Sequence, residues 1–334
     1  MDSFNFKKWN TILGWFVFTI ALLTYWLTVE PTASFWDAGE YITTSSNLEV
    51  GHPPGAPLYQ ILGAFFSIFA LEATNIALTI NLMSVFASAF TILFMFWSLT
   101  MLLTTIVSRK IELKKQNYHA ILGSAAIGSL AFAFSDSFWF NAVEAEVYAM
   151  ATFIMSVLFY LALRWERDMN TPRGDRWVIL IAFVIGLSFG VHFMGLLTIP
   201  AMGMLYFFKN YKSVTLKNFL IANIVMVAIF LFIFKLLLPM TLKFFSASEI
   251  FFVNSIGLPF NSGTIIAGFL FTGLFYYLLR FTREKEYVKL NTLLLATLFI
   301  FIGFSSWIML PVRANAGTMI NENNPNNARE LLAY

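Results

Sequence analysis

The chain contains no cysteine, which excludes disulfides and thiolate metal sites alike. Charged residues are scarce as well, at 12% of 334 positions, where an average soluble domain carries roughly a quarter. So few polar groups do not cover a water-soluble globule of this length. Lys and Arg form no stripe in a soluble region, which argues against nucleic acid, and the net charge of +3 reads instead as a topology signal. No stretch alternates polar and apolar residues, so a membrane β-barrel is excluded too.

What is abundant is apolar surface. Hydrophobic residues make up 59% of the chain and the mean hydropathy is +0.74. They come in runs such as Thr11–Val29 and Thr292–Leu310, close to the roughly 20 residues that a spanning helix needs. The fold class is therefore an all-α polytopic membrane protein. Lys7 and Lys8 precede a run too long for a secretory leader, and no small-x-small site precedes Glu30, so the first run is an uncleaved helix.

About nine spans are predicted: Trp9–Val29, Ile76–Val107, Tyr118–Phe134, Val147–Leu163, Trp177–Gly190, Gly195–Phe208, Leu216–Leu238, Ile265–Leu279 and Leu290–Leu310. Basic residues are retained on the cytoplasmic side. With the N-terminus inside, the inner segments hold Lys7 and Lys8, Arg109–Lys115, Arg164–Arg176, Lys209–Lys217 and Arg280–Lys289, and the outer ones only Lys243, Arg313 and Arg329. The same rule lays Pro57–Leu71 along the outer interface. At 1.5 Å per residue it reaches about 22 Å, short of the roughly 30 Å hydrocarbon core. It also splits Trp177–Phe208 into two short spans around a sunken turn at 191–194. Nine spans leave the C-terminus extracytoplasmic. Residues 1–320 then form the transmembrane domain. Residues 321–334 begin an extracytoplasmic region, with Asn327 and Glu330 as a helix N-cap and its partner. The chain stops about two turns into that helix, as a piece of a longer protein would.

The polar segments collect on the non-cytoplasmic side. The first outer loop holds Asp37 and Glu40, three apart and so on one face of a helical turn. The rigid run Gly51-His52-Pro53-Pro54-Gly55 follows. Glu49, in the same loop, is assigned no role. The loop between the third and fourth spans carries Glu144, Glu146 and Tyr148 among aromatics. One acid at a helix start is explained by the dipole; two acids facing the same side as Asp37 suggest a shared polar site. Cations on that side are few: His192 at the sunken turn, Arg313 after the last span, and Lys243, with Lys235 inside a span whose long stem can snorkel. Asp37, Glu40, Glu144 and Glu146 are hard oxygen ligands that suit Mg²⁺ or Mn²⁺.

The order of these features resembles the GT-C superfamily of membrane glycosyltransferases. It comprises an early acidic outer loop, His52-Pro53-Pro54, an interfacial helix, a long second span and Glu144-Ala-Glu-Val-Tyr148. Within that superfamily the chain is most similar to protein O-mannosyltransferases, over Trp9 to Trp165 above all. The resemblance implies an inverting transfer of a mannose-like sugar from a polyprenyl-phosphate donor to a hydroxyl acceptor, typically protein Ser or Thr, at the outer leaflet. It implies Asp37 as general base with Glu40 beside it, and no resident metal or other cofactor. His52, Glu144, Glu146, Tyr148, His192 and Arg313 are the substrate-binding candidates. O-mannosyltransferases usually have adjacent Asp and Glu, whereas this chain has Asp37-Ala-Gly-Glu40.

The chemistry suits the residues independently. A hydroxyl attacking an anomeric carbon needs a carboxylate to take its proton, and a departing phosphate needs cations or donors. The absence of any strand followed by a Gly-rich phosphate loop argues against a soluble glycosyltransferase. The rival readings are a transporter or flippase of a lipid-linked glycan and an inactive assembly subunit. Paired repeats with broken helices and midplane charges would mark a transporter, and here the polar residues gather on one side.

Overall fold

The computed structural model describes residues 4–334, and every regular element among them is helical. A lone parallel bridge joins Val50 to Asn321. The helices are α1 (Phe6–Leu27), α2 (Ala38–Ser46), α3 (Pro57–Ser67), α4 (Ile76–Ser108), α5 (Lys115–Ala133), α6 (Asp136–Ala142), α7 (Val147–Asp168) and α8 (Asp175–Ser188). They continue with α9 (Thr198–Asn210), α10 (Leu216–Leu231), α11 (Leu238–Ile250), α12 (Ser262–Glu284), α13 (Val288–Phe304), α14 (Met309–Ala314) and α15 (Ala328–Ala333).

Each of the nine predicted spans falls on a helix. Six helical stretches have the length and hydropathy of membrane crossings: Phe6–Leu27, Ala73–Ser108, Val147–Asp168, Leu216–Ser255, Ser262–Glu284 and Val288–Ala314. A seventh is reached if α5 and α6, bent by 68° at their junction, count as one span. The chain is thus a multi-pass membrane protein. By contrast α8 has 14 residues and α9 has 13, each about 20 Å of helix against a core of roughly 30 Å. Lipid supplies no hydrogen bonds, so the backbone groups of these sequences pair inside their own helices.

Two compact units share the chain. The first comprises Met1–Ser46 and Tyr59–Arg167. Its core is built where α1, α4, α5 and α6 meet, around Val17, Ala21, Tyr25, Ala89, Ile92, Phe96, Ala125 and Ala142. Helix α7 packs on α4 through aromatic edges, with Phe94 and Tyr160 centroids 5.3 Å apart. The Tyr25 hydroxyl donates to the Ala133 carbonyl (2.9 Å) and the Trp139 indole N–H to the Thr28 hydroxyl (2.9 Å). These bonds tie the end of α1 to the α5–α6 bend.

The second unit comprises Asn47–Leu58 and Asp168–Tyr334. Helices α8 and α13 touch backbone to backbone where Gly186 and Gly303 face one another, and a Cβ at either would collide with the opposite main chain. The buried Glu249 of α11 caps α12. Its carboxylate accepts the N–H groups of Asn261 (2.6 Å) and Thr264 (2.7 Å) and the Thr264 hydroxyl (2.9 Å), so the acid sits where the helix dipole favours it. The segment after α2 also belongs to this unit. The Val50 N–H donates to Ile320 O (3.1 Å), and the Glu322 N–H to Val50 O (3.1 Å). The Tyr334 hydroxyl donates to Gly51 O (2.5 Å). Gly55 has a φ of +70° and lies under the Tyr334 ring, so a side chain there is opposed by both backbone and space.

Candidate functional site

In the first unit the loop after α1 and the loop before α7 are stitched together by their backbones. The Glu30 N–H donates to Val143 O at 3.0 Å. Asn81, a buried amide inside the apolar α4, donates to Glu30 O (2.6 Å) and Thr32 O (2.9 Å). An Asn in a spanning helix is costly unless paired, and here its partners are the loop that leads to Asp37. The residue was legible as a polar break in an apolar run, though its target was not.

Asp37 follows Trp36, whose φ of +61° is in the left-handed region. That reversal costs a bulky residue about 1–3 kcal/mol. It turns the Asp37 amide into the unit, where the N–H donates to Glu146 Oε1 at 3.2 Å. The Asp37 carbonyl accepts the Tyr41 N–H (2.9 Å), the first bond of α2. Helix α2 is held down by Ile42, which packs with Ile80 and Ala145. The Asp37 side chain remains exposed, Glu40 is half-buried, and Glu144 and Glu146 are buried.

The electrostatics are those of crowded acids. Burial pushes the Glu146 carboxyl up to about 7, and the charges of Asp37 and Glu144 add to the shift. Burial also raises Glu144, against the opposing pull of the Ser34 hydroxyl. Tyr41 is raised by burial and then by Glu146, Asp37, Glu40 and Tyr148 in turn. Its ring stands edge-on to the buried Tyr59, 5.3 Å between centroids. Neither of these two loops contains Lys or Arg. The four acids do not converge into one ligand set: among the described residues no three His, Cys, Asp or Glu side chains are grouped as a metal ion needs.

Beside Glu144 lies a cavity of about 470 Å³ lined by Glu30, Ala33, Ser34, Phe35, Phe140, Val143 and Glu144. The residue pattern named Glu144 but gave no sign of Ser34, Phe35 or Phe140, because the wall forms only when the two loops meet.

His52, His192 and Arg313 belong to the second unit. His192 Nδ1 accepts the Met194 N–H at 3.2 Å and caps the short helical turn Phe193–Leu197. That bond leaves the proton of the neutral ring on Nε2, and burial lowers its pKa. The Arg313 guanidinium donates to the carbonyls of Leu48 and Asn47 (3.0 Å to Asn47), so two of its five N–H groups hold the segment before His52. Glu49 departs from the sequence reading of a residue without a role. It is buried, accepts the Met319 N–H at 3.2 Å, and leaves Oε2 unpaired. The Lys235 ammonium lies over the Phe234 ring, 4.9 Å from its centroid.

Among curated proteins, the chain is 28% identical over 196 residues to the protein O-mannosyl-transferase tmem260 of Dictyostelium discoideum. It is 27% identical over 175 residues to the protein O-mannosyl-transferase TMEM260 of Mus musculus. The matches cover 55% and 52% of this chain but only 22% of each relative, so the chain spans a minor part of their length. No solved structure matches. Residues 37–215, more than half of the chain and beginning at Asp37 itself, match the family described as the protein O-mannosyl-transferase TMEM260 N-terminal domain, and the chain belongs to that family.

Proposed function

We propose that the chain is the membrane part of an inverting glycosyltransferase that moves a mannose-like sugar from a polyprenyl-phosphate donor to a hydroxyl of a protein, with Asp37 as general base. The observation that carries the reading is the fixed backbone of Asp37. A buried carboxylate holds its amide, a packed helix begins at its carbonyl, and its own carboxylate faces solvent. A base that is rigid at the main chain and open at the side chain suits proton removal from an incoming alcohol. The names of the relatives support a mannosyl transfer to protein.

In this reading the acceptor oxygen attacks the anomeric carbon from the face opposite the phosphate, and its proton passes to Asp37. The carbon–oxygen bond to the phosphate breaks with its electron pair, and the polyprenyl phosphate leaves with inversion at carbon. The outer loops of the first unit are acidic and lack cations, so they suit the neutral reacting groups, the acceptor hydroxyl and the sugar ring. Arg313 is the cation whose chemistry best suits the donor phosphate, because its fork matches a phosphate. Glu40 and Tyr148 flank Tyr41 and belong to the acceptor side. No resident cofactor is part of the proposal.

The basic residues support a cytoplasmic N-terminus and an extracytoplasmic C-terminus. Nine crossings, with α3 along the outer interface, keep every basic cluster inside. The competing reading is a flippase for a lipid-linked glycan. Proteoliposomes given a polyprenyl-phosphate mannose and a protein acceptor on one side separate the two. Sugar covalently joined to the acceptor on that side supports the transferase. Movement of the intact donor across the bilayer without transfer refutes it.

A further inference from the structure

We infer that the cavity between the two outer loops of the first unit is a binding site for a neutral, hydroxyl-rich ligand, a hexose ring, and that it excludes phosphate. The inference deepens the proposed function, and rests on it only in the choice of a hexose.

The walls of the cavity define what can enter it. Glu30 and Glu144 supply carboxylate oxygens, and Ser34 supplies one hydroxyl. Glu144 is 3% exposed, and its carboxyl faces Ser34, whose buried hydroxyl makes no hydrogen bond of good geometry. A buried hydroxyl without a good partner is costly unless something completes it. The Glu30 carboxylate already accepts the Thr32 hydroxyl at 2.9 Å, which fixes its position at the rim. Flanking these groups, Phe35 and Phe140 line the cavity, and at 82% and 51% exposed they are large apolar side chains that the fold leaves uncovered.

Such a lining is almost entirely acceptor in character. A phosphate brings only negative charge and acceptors, so two carboxylates repel it. A peptide backbone presents a carbonyl for every N–H, and the cavity has one hydroxyl to meet those carbonyls. A hexose presents a hydroxyl donor on nearly every carbon, and its C–H faces lie flat on aromatic rings. At about 470 Å³ the cavity is in the range of small-molecule sites.

The absence of native cysteine makes a clean test possible, because Ala33→Cys is the sole thiol and lies on the cavity wall. Its alkylation by N-ethylmaleimide is timed in proteoliposomes with tens of millimolar methyl α-mannopyranoside, sodium phosphate, tetramethylammonium or a short serine peptide. Ser137→Cys, exposed on α6 and outside the lining, is the control. The expected result is at least threefold protection of Ala33→Cys by the mannoside alone, none at Ser137→Cys, and loss of protection when Glu144→Gln or Phe140→Ala is added. Absence of mannoside protection, or equal protection by phosphate, the ammonium ion or the peptide, overturns the inference. Survival of protection in both added variants overturns it too. The readout needs no turnover. Lost protection with intact mannosyl transfer therefore removes the hexose site and leaves the transferase reading standing.

Discussion

Glu146 Oε1 accepts the backbone N–H of Asp37 across 3.2 Å, joining two loops that lie 109 residues apart in the chain. The carboxylate proposed to do chemistry is thereby positioned by another that the solvent does not reach.

That pairing predicts a split between two substitutions. Glu146→Gln keeps an acceptor oxygen for the Asp37 amide, while Glu146→Ala removes it and frees the strained turn at Trp36. Loss of turnover should be at least tenfold worse in the alanine variant, with Gln recovering much of it. Similar loss in both would mean that charge matters and position does not.

The same residue sets a pH dependence. The fold raises the Glu146 pKa to about 7, so the folded state favours the protonated form. Stability from this group is full below the ordinary carboxylate range and is lost as the pH rises through 7. Glu146→Gln should therefore melt higher than the parent at pH 8, with the difference vanishing toward pH 4. A constant difference across that range would refute the shift.

Arg313 gives a third prediction. Hydrogen bonds from a charged group contribute about 1.5–3 kcal/mol each, so Arg313→Ala should lower the melting temperature measurably by releasing the Asn47 and Leu48 carbonyls. Arg313→Lys should recover part of it, lacking the fork. If Arg313 also holds the donor phosphate, donor binding weakens in both variants. Unchanged donor affinity in both would confine Arg313 to the backbone role.

Much of this was legible in the sequence, and the division follows physical range. Spans are local: the apolar run at Ile76–Val107 becomes α4, and Asn327 caps α15 by accepting from Arg329 and Glu330. Acids near a helix start are local too, so Asp37 and Glu146 could be named. Their contact could not, because it depends on a left-handed Trp36 and on loop pairing. Glu49 looked like an ordinary loop acid because nothing nearby in sequence buries it; Met319 and the Val50–Asn321 bridge do so from 270 residues away. Short helices α8 and α9 carry the right composition, but at 14 and 13 residues each is shorter than the roughly 20 residues of a full crossing.

Orientation is testable directly. Cysteines at Ser34 and Asn323 should react with an impermeant reagent in intact cells, and one at Lys114 should not. Labelling at Lys114 alone would invert the topology and move every acid discussed above to the cytoplasmic side.

The central claim is that Asp37 removes the acceptor proton, and turnover of Asp37→Asn tests it most directly. A positioned base contributes about 10²–10⁴-fold. Asn keeps the shape, so transfer from a polyprenyl-phosphate mannose to protein should fall by that factor with donor affinity nearly unchanged. Asp37→Asn turning over like the parent, with Glu144→Gln inactive, would contradict the account and assign the base to the other loop.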